Sequence, residues 1–366
     1  MPIIIVGAII VLIIFLQGYA YNKLWDKDLS FSARFSAKDV FEGDVVSLRE
    51  ELINRKFLPL PWVNTRIDLP PELTFVNKEN VPQPNAGKGS SLFAIMGYRA
   101  IRRRRRFICT KRGLYNLRTA RIYAHNLLHT QKFSKDSSLR GEVLVFPKLL
   151  DGHEATELLL SQLDSAILSR RIIDPDPFEF RGIRDYQPTD ALKNINFKAS
   201  AVQQSLMVNV LAPTAAKKIT LALNLQEVDQ GVSQEIYEQS IRLTATLAQH
   251  FIQDGASLSF YTNGRDTVTA NTAELGRGNS GEHLYKIFEC LARLATSYIC
   301  QPLAHYVEEI TDREEVFLFI SPYYGEDFAA AVKELSTRGV AAYWIAPVRR
   351  EGEGPSASDN VMVWKC

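Results

Sequence analysis

Lys218-Ile219-Thr220-Leu221-Ala222-Leu223-Asn224-Leu225-Gln226 reads as the core of a buried strand, and the strand–helix alternation downstream of it decides the fold. Residues 233–254 carry Ile236, Leu243, Leu247 and Phe251 on one side of a predicted helix, and residues 257–261 form a second strand. Ser280 caps a further predicted helix, on which Leu284, Ile287, Leu291, Leu294 and Tyr298 make one stripe. Residues 316–320 are a buried strand, residues 327–338 a helix closed by Gly339, and residues 340–346 another strand. Such alternation predicts an α/β domain with a mainly parallel sheet and helices on both faces.

Upstream lies a stretch dense in charge: Phe180-Arg181-Gly182-Ile183-Arg184-Asp185-Tyr186-Gln187-Pro188-Thr189-Asp190, running on through Ala191, Leu192, Lys193, Asn194, Ile195, Asn196, Phe197 and Lys198 to Ala201. Pro188-Thr189-Asp190 reads as a turn feeding a helix, with Thr189 or Asp190 as its N-cap. Arg184 and Asp190 can pair across that turn while Tyr186 and Phe197 pack inward and Lys198 completes a polar network. The same frame can instead present Arg181, Asp185 and Lys193 to a partner. The candidate binding residues are therefore Arg181, Arg184, Asp185, Tyr186, Asp190, Lys193 and Lys198. Asp185 and Asp190 could also act as acid and base of a hydrolase, but neighbouring arginines favour ionised, paired carboxylates.

This stretch resembles the signature of the bacterial domain of unknown function 58 family, in which Arg-Glu-Tyr-x-x-Gly-Asp is followed by Arg-x-Ile-x-Trp-Lys-x-x-Ala. Arg184, Tyr186, Asp190, Ile195, Lys198 and Ala201 match directly, whereas Asp185, Thr189, Lys193 and Phe197 stand for the family's Glu, Gly, Arg and Trp. Gly43-Asp44, Asn54, Leu58-Pro59-Leu60-Pro61-Trp62, Asp68-Leu69-Pro70, Lys111-Arg112-Gly113-Leu114-Tyr115 and Val145-Phe146-Pro147-Lys148 resemble the landmarks that precede the signature. Ala124-His125-Asn126-Leu127 departs from the family's Asp-Pro-Phe-Gly turn. The resemblance implies a von Willebrand factor A-like domain and a MoxR-type AAA+ ATPase as partner. A-type domains often hold a divalent cation through Asp-x-Ser-x-Ser; here Asn224, Gln226 and Val228 occupy the corresponding positions, and Ser321-Pro322-Tyr323-Tyr324 stands where a Thr-Asp-Gly is sought. Lacking the carboxylates a hard cation needs, this pocket is expected to hold no metal.

The amino-terminal segment, residues 2–21, is Ile-rich and uncharged, and about 20 residues suffice to cross a bilayer core. No basic region precedes it, and no cleavage pattern follows Leu16, so a membrane anchor is expected rather than a signal peptide. Tyr19, Tyr21 and Trp25 are expected at headgroup level. Lys23, Lys27 and Arg34 follow the segment, which places the bulk of the chain in the cytoplasm as a single-pass protein of the cell membrane.

Between residues 28 and 148 short β-type runs alternate with Pro and Gly, predicting an all-β sandwich-like domain. Val46, Leu48 and Leu52 are one face of a strand, and Arg112-Gly113 turns between two others. Arg102, Arg103, Arg104, Arg105 and Arg106 form an unbroken basic run. A solvated strand face or contact with anionic lipid is expected there, not nucleic acid, since no aromatics interleave the run for base stacking. His125 and His129 could share a helix face, but no third ligand is near.

With Lys+Arg 43 against Asp+Glu 41 in 366 residues, the chain has no overall pull toward polyanions. Cys109, Cys290, Cys300 and Cys366 show neither zinc nor disulfide spacing, as expected of reduced thiols. No nucleophile-elbow, zinc-protease or phosphate-loop motif occurs. The expected organisation is an anchor (1–22), a β-sandwich-like domain (28–148), a helical connector (149–179), the signature loop with the A-like domain (180–350), and a tail (351–366). A membrane-anchored interaction or scaffold protein without catalytic residues or cofactor is the first functional reading. An envelope-associated hydrolase using the loop carboxylates is the second.

Overall fold

A computed structural model describes residues 2–77, 81–82, 89–173, 180–188, 190, 192, 195–211, 217–226, 234–296, 300–312, 314–349, 355 and 360–366. The chain divides into two compact units, Met1–Lys148 with Leu291–Arg293, and Leu149–Cys290 with Leu294–Cys366.

The first unit begins with α1 (Pro2–Leu24), of which Ile3–Leu24 is long and apolar enough to cross a membrane. Most of its side chains are exposed, unlike those of a helix in a soluble core. Its last turn behaves differently. Tyr21 and Trp25 are buried in the domain core, the Tyr21 hydroxyl donates to the Pro59 carbonyl at 2.6 Å, and Trp25 stacks on Phe133 at 5.6 Å. Both rings are packed into the domain core instead of standing free, and Tyr19 alone of the three stays exposed. A ring that can bury its apolar body and satisfy its hydroxyl on a carbonyl is more stable docked than solvated.

Nine strands follow: β1 (Leu29–Phe35), β2 (Asp39–Phe41), β3 (Val45–Asn54), β4 (Leu60–Ile67), β5 (Leu73–Phe75), β6 (Ser90–Ile95), β7 (Arg99–Cys109), β8 (Gly113–His125) and β9 (Lys132–Phe146). They form two sheets, ordered β1-β3-β7-β5 and β2-β9-β8-β4-β6, over one shared core. Leu48, Leu52 and Phe107 come from the first sheet, and Leu60, Val63, Ile122 and Val143 from the second. All neighbours pair antiparallel except β2 with β9. The turn before β3 uses Gly43 at φ +96°, a conformation that favours glycine. His125 ends β8 and His129 lies in the loop beyond it, so they do not share a helix; their rings stack at 4.6 Å.

The second unit contains α2 (Glu154–Ile173), β10 (Phe180–Asp185), α3 (Phe197–Gln203), β11 (Met207–Leu211), β12 (Lys218–Leu223), α4 (Gln234–Gln253), β13 (Ser257–Asp266), β14 (Thr272–Gly278), α5 (Gly281–Arg293), β15 (Leu294–Ala295), α6 (Ala304–Glu309), β16 (Val316–Ile320), α7 (Glu326–Thr337), β17 (Ala341–Val348) and β18 (Val361–Lys365). Ser280 caps α5 by accepting the His283 N–H at 3.2 Å, and Gly339 follows α7 with φ +83°. Phe319, Phe328, Leu335 and Trp344 knit α7 to the sheet.

Here the expected fold class is corrected. The large sheet is mixed: β13, β12, β16, β17 and β18 run parallel, but β14 and β15 pair antiparallel with β13. β10 and β11 form a separate antiparallel pair. With the two sheets of the first unit, the chain is predominantly β, eighteen strands to seven helices among the described residues, and the α/β von Willebrand factor A-like assignment with a mainly parallel sheet does not stand. Strand–helix alternation from residue 218 suggested it, because that pattern does not register short polar strands. Thr272–Gly278 alternates between exposed and half-buried residues and offers no apolar run. The tail is also more than a tail, since β18 pairs with β17 and buries Trp364.

Candidate functional site

The charged stretch around residue 184 is built on β10 and β11. Ile183 lies opposite Asn209 and Arg184 opposite Val208. After β10 the chain turns: the Asp190 N–H donates to the Gln187 carbonyl, and the Gln187 N–H donates to Asp190 Oδ2, both at 2.8 Å. Arg184 closes this turn with a fork, Nη1 to Oδ2 at 2.7 Å and Nη2 to Oδ1 at 2.6 Å. Its Nη1 also donates to the Asp185 carbonyl at 2.9 Å. The Asp190 carboxyl is held below its ordinary range by the Arg184 hydrogen bonds and then by the Gln187 N–H. The Asp190 carboxylate is thus occupied by Arg184 and the Gln187 N–H. Helix α3 starts at Phe197, where Asn196 Oδ1 accepts the Ala199 N–H at 3.0 Å. Asn196 also donates from Nδ2 to Asn209 Oδ1 at 2.7 Å, which ties α3 to β11.

Of the expected site residues, Arg184 and Asp190 are brought together, Tyr186 is half-buried with its N–H on the Leu206 carbonyl, and Asp185 and Lys198 are exposed. The Arg181 side chain, Thr189 and Lys193 lie outside the described residues. Phe197 does not pack into the domain as expected: it is 74% exposed, and Val202 on the same helix 78%. No residue of α3 is buried, and Leu192 and Leu206 are exposed beside it. These exposures escaped sequence reading because one Phe and one Val in a seven-residue helix look like ordinary inward anchors.

Asn224, suggested by the A-type cation motif, is fully buried at the end of β12. Its Oδ1 accepts from Gln226 N–H at 3.0 Å and Asn263 Nδ2 at 2.8 Å, and its Nδ2 donates to Ser321 Oγ at 3.0 Å. Asn263 in turn donates to the Gln301 carbonyl and accepts from the Leu225 N–H, each at 2.8 Å. These amides and hydroxyls satisfy one another without a charge, the opposite of what a hard cation requires. Val228 lies outside the described residues.

Asp164, His250 and Asp254 place three potential ligand atoms within 4.8 Å of one another. Lys217 already occupies the surroundings, 3.8 Å from Asp164 and 3.5 Å from Asp254, and His250 Nε2 sits 2.9 Å from Asp164. An ammonium in that position supplies the positive charge that a metal would bring. A cavity of about 340 Å³ lies elsewhere in this unit, lined among others by Thr220, Tyr261, Glu274, Tyr306 and Glu315. Tyr261 and Tyr306 stack at 3.7 Å, and burial, with the nearby Glu274 and Glu315, pushes the Tyr306 hydroxyl up to about 12. Glu315 accepts from Thr220 at 2.6 Å and pairs with Arg277 at 3.2 Å.

The arginine run splits by strand parity. Arg103 and Arg105 lie over Phe93 and Phe75, at 4.8 and 3.9 Å from the ring centres, while Arg102 pairs with Glu51 at 2.6 Å on the opposite side. Arg102, Arg103 and Arg104 are exposed, and Arg105 and Arg106 are half-buried.

No family model matches the chain, and no curated protein matches it. Among solved structures it is similar to a CARDB domain of a Pyrococcus furiosus protein, in complex with di-metal ions, at 8% identity over 31% of this chain and 94% of that one, TM-score 0.19. It is similar to a type I cohesin from Pseudobacteroides cellulosolvens at 14% identity over 34% and 97%, TM-score 0.23. A cohesin from Archaeoglobus fulgidus gives 13% identity over 35% and 97%, TM-score 0.23. Likenesses at this level assign no function.

Proposed function

We propose that the chain is a membrane-anchored interaction protein whose bulk faces the cytoplasm and whose segment 180–211 docks a MoxR-type AAA+ ATPase, the partner implied by its resemblance to the domain of unknown function 58 family. One observation supports docking above all: Leu192, Phe197, Val202 and Leu206 are each exposed within one short segment that follows the Arg184–Asp190 turn. Single exposed apolar residues are ordinary, but a cluster rimmed by charge is what protein partners bury. The Arg184–Asp190 fork holds the frame, and Asp185 and Lys198 rim it. Lys23 in the last turn of α1, with Lys27 and Arg34 after it, favours the cytoplasmic side.

The hydrolase reading would need a loop carboxyl protonated near neutral pH as general acid. Asp190 is instead held ionised by three hydrogen bonds. Purified ATPase captured on full-length protein in detergent tests the proposal. Phe197→Ser, Val202→Ser, Arg181→Ala and Lys193→Ala should each weaken capture while leaving the melting temperature unchanged; undiminished capture by the folded variants overturns it. A reporter fused after Cys366 should behave as cytoplasmic, and periplasmic activity there would remove the ATPase assignment.

A further inference from the structure

The carboxyl end of α1 does not simply lead into the first unit; three loops stand around it. Loop 126–131 reaches back along the helix, where a Cβ placed on Gly18 would lie 3.5 Å from the Gln131 amide. Loop 55–59 meets the next turn through the Tyr21 hydrogen bond to Pro59. Loop 96–98 is tied to it by the Tyr98 N–H on the Lys56 carbonyl at 3.1 Å, and by Asn54 Nδ2 donating to both the Leu58 and Met96 carbonyls. Asn126 shapes loop 126–131 by accepting the Thr130 and Gln131 N–H groups.

Gly18 lies six residues before Leu24, about 9 Å back along the axis at the helical rise per residue. Gln131 therefore stands alongside the apolar helix and not beyond its end. These loops carry exposed apolar side chains: Phe57 at 81%, Tyr98 at 70%, Met96 at 66%, and Leu127 and Leu128 at 51% each. Lys23, Arg55, Arg99 and Lys132 are exposed among them. Apolar tips among these cations, with Asp28 beside Arg55 and Asp26 as the acidic neighbours, at the level of an emerging membrane helix, match the headgroup zone in both polarity and surplus charge.

We propose that Phe57, Met96, Tyr98, Leu127 and Leu128 form a collar that inserts into the headgroup layer of the same membrane that α1 crosses, seating the β-sandwich on the lipid surface. The collar rests on the anchor reading of α1. It gives the domain a fixed depth and tilt where a flexible tether would let it swing, and anionic phospholipid is the headgroup class that its cations favour.

Full-length protein with Cys366→Ser, carrying one spin label in turn at Ile10→Cys, Lys38→Cys, Met96→Cys or Leu128→Cys, is reconstituted into bilayers of phosphatidylcholine with phosphatidylglycerol. Power saturation then compares collisions with oxygen, which concentrates in lipid, against a water-soluble nickel complex. Labels at 96 and 128 should show an oxygen-to-nickel ratio several-fold above that at 38, with the label at 10 higher still. Labels at 96 and 128 as water-exposed as that at 38, with 10 in lipid, overturn the collar and leave the anchor standing. A water-exposed label at 10 removes both. Two independent collar sites guard against one variant that fails to fold.

Discussion

Glu50 pairs along a diagonal: its register partner on β7 is Arg103, yet its carboxylate bonds Arg105 at 3.3 Å. Ser91 donates to the other oxygen at 2.7 Å, and the Arg105 guanidinium lies on the Phe75 ring. Glu50 is only 1% exposed on a strand face otherwise filled by Val46, Leu48 and Leu52. A buried ion pair adds little net stability, but breaking it strands the remaining charge. Glu50→Ala should cost ~3–5 kcal/mol of unfolding free energy by urea titration. Replacing both partners, as Glu50→Leu with Arg105→Met, should recover most of that loss; a double variant as unstable as the single would contradict the pairing account.

Lys56 carries the reverse problem. Its Nζ is buried with no hydrogen-bond partner, and burial lowers its pKa to about 8, with Asp26 and Asp28 only partly opposing. Between about 8 and the ordinary 10.5 the unfolded chain holds more of this proton than the folded one. Stability should therefore climb as pH rises through that window. Lys56→Met should raise the melting temperature, more at pH 7 than at pH 10. An equal gain at both values would show that the ammonium is not the source.

The Arg184–Asp190 fork predicts a local effect. The pair lies at the surface, where ion pairs contribute little to global stability. Arg184→Ala should leave the melting temperature nearly unchanged but speed amide hydrogen exchange at Gln187, whose N–H rests on Asp190. Because the folded Asp190 carboxyl sits below 3.8, the fork persists above that value and opens only as pH falls through the lower, folded pKa. Exchange at Gln187 that rises already at pH 5 would argue against it.

Residues with a strong period were legible. Val316–Ile320 was bounded by its apolar run, and Ser280 announced α5 through its cap. The apolar span of α1 was equally plain, and so was the boundary of the first unit near Lys148. The sheet of the second unit was misread because direction of pairing leaves no mark in one strand's sequence. β14 was missed for lack of an apolar run, whereas β18 carries one in Val361-Met362-Val363-Trp364 and was set aside as part of a tail; Asp190 was read as a cap because an aspartate can serve either a cap or an arginine. Tyr21 and Trp25 look like interfacial aromatics by position, and only the Pro59 carbonyl and the Phe133 ring reveal that they are domain core. The collar was illegible for the same reason, since its residues meet through three loops far apart in sequence.

Asn224 supplies the last prediction. Both ends of its amide are used, with Oδ1 accepting two N–H groups and Nδ2 donating to Ser321, inside a site sealed from solvent. Wild-type protein should give no saturable heat on calorimetric titration with magnesium or manganese, because no carboxylate participates in this network. Asn224→Asp would replace a donor by an acceptor facing Ser321 and bury a charge, which desolvation opposes. That variant should lose ~1–3 kcal/mol at neutral pH and regain part of it as pH is lowered, when the carboxyl, raised by burial, takes up a proton. Sub-millimolar magnesium binding by the wild type, abolished by Asn224→Ala, would refute the uncharged network.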